Sequence, residues 1–336
     1  WLGFGRSFIS WVRLLYTGIR SAILVNGYTS DSFWPSRGVR QGCPLSPLLY
    51  VISIEVLAAN LRAHPDIVGL RPLGLSCTLP VMSLYADDTS VVASSFAAIR
   101  AVFSTYQLFE RGSGSRLNLN KCEGLWLGPW RFSTATPPVD ISWSYSKIKV
   151  LGVFIGHGDL AEENWRPRLD AVARCLKSWR SRALSFTGKA LVVNALALSR
   201  VWYVASLVHV PAWVTAELNR LVFSFFWSGK RDLVARRVLV HPKEAGGFSI
   251  VSLDFKIAAL LVQWVRRLEV CPNGWVFLLR YWLLDRHGVT PHAFLADPSS
   301  FPFAPFPPFY SALFSAWVMA GGGASPSGLR SEEHTS

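Results

Sequence analysis

The sequence predicts an α+β protein, with an antiparallel sheet carrying helices on one face, followed by a mainly helical second half. Three observations predict this. Two short apolar, β-prone runs flank a polar turn in Leu84-Tyr85-Ala86-Asp87-Asp88-Thr89-Ser90-Val91-Val92, which reads as strand, tight turn, strand over 81–93. A second hairpin is signalled by Asn26-Gly27 between runs at 21–25 and 28–33, because Asn-Gly suits a type I′ turn. From about residue 160 the apolar residues recur largely at helical spacing.

The remaining elements follow in chain order. Phe4, Phe8, Trp11, Val12 and Leu15 recur at helical spacing and predict a helix over 5–17. Gly38 and Gly42 allow a sharp turn or a close approach to a ligand. Ser46 and Pro47 then read as an N-cap and first helical residue. The helix they start runs to about Arg62, with Leu48, Val51, Ile52, Glu55 and Ala59 along one face. Residues 96–111 read as a helix on the sheet, ended by Gly112-Ser113-Gly114. The Pro-, Ser- and Thr-rich stretch 128–146 reads as a loop, and the proline-rich stretch 302–308 as irregular chain.

The adjacent carboxylates Asp87 and Asp88 carry the chemistry. Like charges repel, so a chain that keeps two side by side has a reason to do so, most often a divalent cation bound by hard oxygen ligands. Two Mg²⁺ ions held by carboxylates suit an in-line phosphoryl displacement. On its own, Ala86-Asp87-Asp88 is weak evidence and reads first as ordinary turn chemistry, in which Asp is common.

A second motif changes that balance. Gly38-Val39-Arg40-Gln41-Gly42-Cys43-Pro44-Leu45-Ser46-Pro47, a long helix, and then Tyr85-Ala86-Asp87-Asp88 resemble, in that order, the palm of non-LTR (LINE-type) retrotransposon reverse transcriptases. The resemblance continues through Leu117-Asn118-Leu119-Asn120-Lys121, which is similar to the palm motif whose lysine lies near the incoming triphosphate. It also covers Lys149-Val150-Leu151-Gly152-Val153-Phe154-Ile155, which is similar to the primer-grip hairpin. Farther on, Leu184-Ser185-Phe186-Thr187-Gly188-Lys189-Ala190 and Phe226-Trp227-Ser228-Gly229-Lys230 resemble family segments beyond the palm, with no chemistry attached to them.

The resemblance implies an RNA-directed DNA polymerase using two Mg²⁺ ions, with RNA template, DNA primer and deoxynucleoside triphosphates as partners. Asp87 and Asp88 would be the catalytic and metal-binding pair. Arg40, Gln41, Gly42, Tyr85, Ala86 and Lys121 would face nucleotide or template, and Leu151 and Gly152 would form the primer grip. Arg40 also reads as a surface arginine, Tyr85 as a strand packing residue and Lys121 as an unremarkable turn lysine. The family's first catalytic aspartate lies in a motif expected before Trp1, so the chain by itself is expected to be inactive. It is also expected to fold poorly alone. The alternative is an inactive retrotransposon remnant that at most binds nucleic acid.

Composition adds bounds. The chain has 336 residues, a mean hydropathy of +0.28 and a net charge of +13. Its uncharged stretches are short or broken by prolines, so no membrane partner is expected. Five scattered cysteines read as a reduced, intracellular protein without a zinc site, and the parent element is expected in nucleus and cytoplasm. Residues 1–158 are expected to form the partial palm, 159–243 a basic thumb-like region and 244–329 a helical and irregular C-terminal region. Residues 330–336 resemble a translated sequencing adapter and are set aside. Residues 160–243 hold 14 Lys/Arg against 5 Asp/Glu, or +9. Arg174, Lys177 and Arg180 there, with neighbouring tryptophans and a Leu169, Val172, Leu176 apolar face, form a candidate phosphate track; a solvated helix face has the same pattern.

Overall fold

The computed structural model describes residues 3–35, 38–40, 42–69, 82–270, 276, 279–280, 282–284, 288–297 and 306–321. Helix α1 (Arg6–Tyr16) is followed by a short hairpin of β1 (Leu24–Val25) and β2 (Tyr28–Thr29). Asn26 and Gly27 stand at φ +49° and +87°, the left-handed pair that a type I′ turn requires. None of α1 is buried, and Trp11 and Leu14 are well over half exposed.

Helix α2 (Ser46–Ala63) and helix α3 (Phe96–Ser113) lie against the hairpin of β3 (Met82–Tyr85) and β4 (Asp88–Val91). Leu57 and Leu61 of α2, Ala101 and Val102 of α3 and Ile67 form the buried cluster, with Met82 and Val91 from the hairpin packed on it. The buried face of α2 is therefore Ile54, Leu57, Ala58 and Leu61, while the expected face at Leu48 and Val51 is exposed. The helix is apolar on more than one side, so spacing alone does not single out the packed one. Ser46 also departs from expectation. It is the first helical residue and its hydroxyl pairs with Tyr16 Oη at 2.9 Å instead of capping α2. Among the described residues α2 is the one helix long and apolar enough to cross a membrane. Helix α3 ends as expected on Gly114, whose φ of +71° lets its N–H close back on the Glu110 carbonyl.

Among the described residues the strands pair in four separate two-stranded ladders, in place of the single antiparallel sheet expected. One ladder is parallel, joining β5 (Glu123–Leu125) to β6 (Ser142–Ser144), and β6 lies within the stretch expected to be loop. Aromatic stacking accounts for it: Trp143 lies on Trp126 at 4.4 Å, and Gly124 leaves the room, since a Cβ there would overlap the Trp143 ring.

A hairpin of β7 (Lys147–Val150) and β8 (Val153–Gly156) leads into the helical half. Helix α4 (Ala161–Trp179) buries Trp165, Leu169, Val172, Cys175 and Leu176. Full burial of each large side chain contributes roughly 1.5–3 kcal/mol. Helix α5 (Phe186–Leu191) runs through a wide π turn at Val192–Ala197 into α6 (Ser199–Ala205). Helix α7 (Ala212–Phe226), helix α8 (Arg236–Val240) and the start of α9 (Leu253–Val270) close this largest core, which also takes in Val153 of β8. A further cluster joins Val265 and Leu268 of α9 to the helices Pro291–Ala296 and Pro308–Met319. Pro308 thus starts a helix instead of extending the irregular segment, as its fixed φ permits at a first turn.

Candidate functional site

The β3–β4 hairpin has full antiparallel register, Met82 opposite Val91 and Tyr85 opposite Asp88, which leaves Ala86 and Asp87 as a two-residue turn. Ala86 holds φ +52°, an uncommon conformation for a residue with a Cβ. Tyr85, Ala86, Asp87 and Asp88 are all exposed, so the carboxylates stand at a projecting tip. Neither Asp87 nor Asp88 forms an ion pair among the described residues.

Helix α2 brings the glycine loop to the same end. Tyr50 of α2 has its hydroxyl pKa pushed up, first by burial and then by the charge of Asp87, so the two lie within electrostatic reach. Tyr50 is four residues beyond Ser46, about 6 Å along the helix axis. Gly42 and Cys43 lead directly into that helix start, and Gly42 turns at φ +84°. Arg40 and Gly42 are exposed; Gln41 lies outside the described residues. Lys121 is exposed at the end of the short 3₁₀ turn Leu119–Lys121, without an ion pair to either aspartate. Tyr50 was not legible as a site residue, because nothing in its spacing ties it to a hairpin more than 30 positions away.

Residues 4–155 match the reverse transcriptase (RNA-dependent DNA polymerase) family. This segment is a reverse transcriptase domain by family. Over 326 residues, 94% of the chain, it is 28% identical to the transposon TX1 uncharacterized 149 kDa protein of Xenopus laevis, of which it spans 25%. It is 28% identical over 120 residues, 36% of the chain, to the retrovirus-related Pol polyprotein from type-2 retrotransposable element R2DM of Drosophila melanogaster, spanning 11% of it. It is 23% identical over 257 residues, 71% of the chain, to the corresponding type-1 element R2 polyprotein of Popillia japonica, spanning 40%. The chain thus spans well under half the length of these retrotransposon proteins, and its similarity to them is of the non-LTR reverse transcriptase type, an enzyme family.

The reverse transcriptase family generally uses divalent metal ions. The donor type here fits Mg²⁺, which takes hard oxygen ligands and commonly binds through one or two carboxylates plus substrate phosphates. Asp87 and Asp88 supply the carboxylates, and among the described residues no third His, Cys, Asp or Glu joins them in a cluster.

The β7–β8 hairpin is built differently from the acidic one. Its turn is Leu151-Gly152, both left-handed at φ +47° and +84°. The Tyr203 hydroxyl of α6 donates to the Leu151 carbonyl at 2.8 Å, and Arg168 Nη2 of α4 donates to the Gly152 carbonyl at 3.0 Å. Buried Asn164 of α4 accepts from the Phe154 N–H at 2.8 Å and donates to the Phe154 carbonyl at 3.0 Å. Lys147 pairs with Glu163 at 2.7 Å, which holds the Glu163 carboxyl below its ordinary pKa. Arg168, Asn164 and Tyr203 carry no motif of their own, so the sequence alone does not single them out.

Arg174 and Lys177 are exposed on α4, opposite its buried stripe, and Arg180 is exposed at the C-cap of that helix. The tryptophans beside them divide. Trp165 is fully buried, its Nε1 donating to the His209 carbonyl at 3.0 Å, and so is a core residue and not part of a surface track. Trp179 is half-buried at the helix end, with the Arg182 guanidinium 4.6 Å over its ring.

Proposed function

We propose that this chain is the carboxylate-bearing part of an RNA-directed DNA polymerase, which in the complete protein extends a DNA primer on an RNA template. The observation that carries the reading is the exposed Asp87–Asp88 tip, on a hairpin packed against α2 and α3 and within electrostatic reach of the start of α2, where the glycine loop ends. Asp87 and Asp88 would hold Mg²⁺ together with a third carboxylate from the family's upstream motif. Bound there, the ions supply activation of the primer 3′ oxygen and stabilisation of the leaving oxygen.

The chain's own residues then divide the remaining work. Tyr85 and Ala86 border the primer terminus and the incoming deoxynucleoside triphosphate. Gln41 and Gly42 lie against the nucleotide and the templating base, where glycine permits close approach. Arg40 meets template phosphate. Lys121 gives a proton to the departing pyrophosphate. Leu151 and Gly152 hold the primer end, and Arg174, Lys177 and Arg180 follow the backbone of the RNA–DNA duplex as a thumb.

The test is primer extension on an RNA template by a polypeptide that joins residues 1–329 to the upstream motif. Mg²⁺-dependent extension that falls to background in Asp87→Asn is expected. A second readout, line broadening of the turn residues by Mn²⁺, should vanish in the same variant. One observation favours a second reading, nucleic-acid binding without catalysis: the absence of a third clustered ligand among the described residues. That reading holds if the joined polypeptide binds hybrid but extends nothing and shows no Mn²⁺ broadening.

A further inference from the structure

The two downstream segments without chemistry in the sequence meet in space. Lys189 Nζ donates to the Phe226 carbonyl at 3.0 Å and to Ser228 Oγ at 2.7 Å. Phe186 packs on the rings of Phe226 and Trp227 at 5.2 and 5.5 Å. Beside this junction, at the end of α4, lies a cavity of about 190 Å³ lined by Arg180, Arg182, Lys189 and Ser228, with Trp179 and Phe225 among its walls. No carboxylate lines it. Among the described residues neither Arg180 nor Arg182 forms an ion pair.

We propose that this cavity binds a single phosphate group of a nucleic-acid backbone, with Arg180, Arg182 and Lys189 as its ligands. Three cations gathered on one small cavity repel one another unless an anion joins them. Helix ends explain part of the cluster: Lys189 donates to the carbonyl of Phe226, the last residue of α7, and cations suit the C-terminus of α4. They do not explain two unpaired arginines facing a cavity without an acid. Guanidinium forks match phosphate bidentately, and stacking on Trp179 fixes the direction of the Arg182 fork before any ligand arrives. Lys189 has three donors and two protein acceptors, which leaves one N–H for a ligand. Burial and the neighbouring Lys230 hold its ammonium below the ordinary lysine pKa, as befits a cation awaiting a counter-charge.

Size selects the ligand. The cavity holds roughly six water volumes, enough for a phosphate with some of its hydration. It is smaller than the ~300–1,000 Å³ pockets that enclose whole small molecules, so the rest of the ligand must lie outside. Arg174 and Lys177 on the preceding turns of α4 continue the cationic line toward the cavity. The nucleic-acid identity of the carrier rests on the polymerase reading above; the anion site itself does not.

The experiment measures binding of the full chain to an RNA–DNA hybrid across a salt series. The double variant Arg180→Gln/Arg182→Gln should weaken binding about tenfold or more and reduce the log–log salt slope by about 1, the mark of one lost phosphate contact. Lys256→Gln, a charge removed outside the cavity, should leave the slope unchanged. Arg182→Lys keeps the charge but loses the fork, and should show an intermediate affinity if the double variant fails to fold. An unchanged slope in folded Arg180→Gln/Arg182→Gln, or an equal loss in Lys256→Gln, overturns the proposal. Thermal stabilisation by inorganic pyrophosphate with no change in the hybrid slope overturns the backbone assignment too. None of these readouts uses catalysis, so a failure of Asp87→Asn to abolish extension would strike the polymerase reading and leave this result standing.

Discussion

The β3–β4 and β7–β8 hairpins have the same outline and opposite environments. Both have four-residue strands, a two-residue turn and a non-glycine residue at positive φ, Ala86 in one and Leu151 in the other. At the acidic turn, no side-chain hydrogen bond from elsewhere reaches Ala86, Asp87 or Asp88 among the described residues, and all three are exposed. At the Leu151-Gly152 turn both carbonyls receive donors from two different helices, and Asn164 clamps the strand behind them. A tip that has to accept ligands from outside keeps its polar groups unmet. A tip that has to hold position has them met from within. The second hairpin is therefore tied to the helical unit of α4 and α6.

The largest effects should fall on opposite properties. Asp87→Asn is expected to take extension by the completed polypeptide to background while changing stability by no more than about 0.5 kcal/mol, because an exposed turn residue packs against nothing. Asn164→Ala should do the reverse at first order. It leaves the half-buried Phe154 N–H and carbonyl without their partner, a cost of about 2 kcal/mol for the two groups. Denaturant midpoints and primer-extension rates on both variants check the contrast. If Asn164→Ala leaves the midpoint in place, the clamp is not what holds the β7–β8 hairpin.

The acidic tip was legible and the clamp was not, for a physical reason. Strand alternation, turn chemistry and paired charges are local, so Tyr85-Ala86-Asp87-Asp88 announces its own hairpin, and Asn26-Gly27 does the same. The apolar stripe Leu169, Val172 and Leu176 was equally readable, because helical spacing encodes burial directly. Arg168 to Gly152 and Tyr203 to Leu151 join residues 16 and 52 positions apart through one bond each, and no period encodes that. The parallel β5–β6 ladder escaped for a similar reason: it depends on Trp143 stacking on Trp126 over Gly124, a contact between a strand and a stretch composed like a loop. Trp165 stands at helical spacing with that same stripe, but its basic neighbours suggest a surface role; its burial and its bond to His209 place it in the core.

The turns themselves offer a smaller test. Gly152→Ala forces a Cβ into φ +84°, at roughly 1–2 kcal/mol. Sterics should add little, since the nearest atom, Arg168 Nη2, would be 3.7 Å away, an ordinary contact. Ala86→Gly relieves the same kind of strain at φ +52°, offset by the chain entropy of glycine, for a net change under about 1 kcal/mol. Opposite signs in matched unfolding curves would bear out the shared backbone geometry. A destabilising Ala86→Gly would mean that the acidic turn depends on its methyl group.

The smallest effect concerns a thiol at the edge of the acidic region. Cys43 lies in the turn before α2, and its pKa is lowered to about 7 by the backbone hydrogen bond from Leu45, then by the hydroxyls of Ser46 and Tyr16. Cys122 at the start of β5 is shifted the other way, its thiol raised by burial. The thiolate is the reactive form, so lowering the pKa makes Cys43 half-ionised near pH 7, where Cys122 remains almost entirely thiol. Alkylation of Cys43 should therefore rise through pH 6–8 and level off, while that of Cys122 should still be climbing above pH 9. Peptide mapping after short iodoacetamide pulses reads both in one sample. Ser46→Ala removes one of the hydrogen bonds that favour the Cys43 thiolate and should move its profile to higher pH, with Tyr16→Phe, the lesser contributor, moving it less. Coincident profiles for the two cysteines would show that the Tyr16–Cys43–Ser46 contact, the one tie between α1 and the start of α2 described by side-chain hydrogen bonds, does not hold in solution.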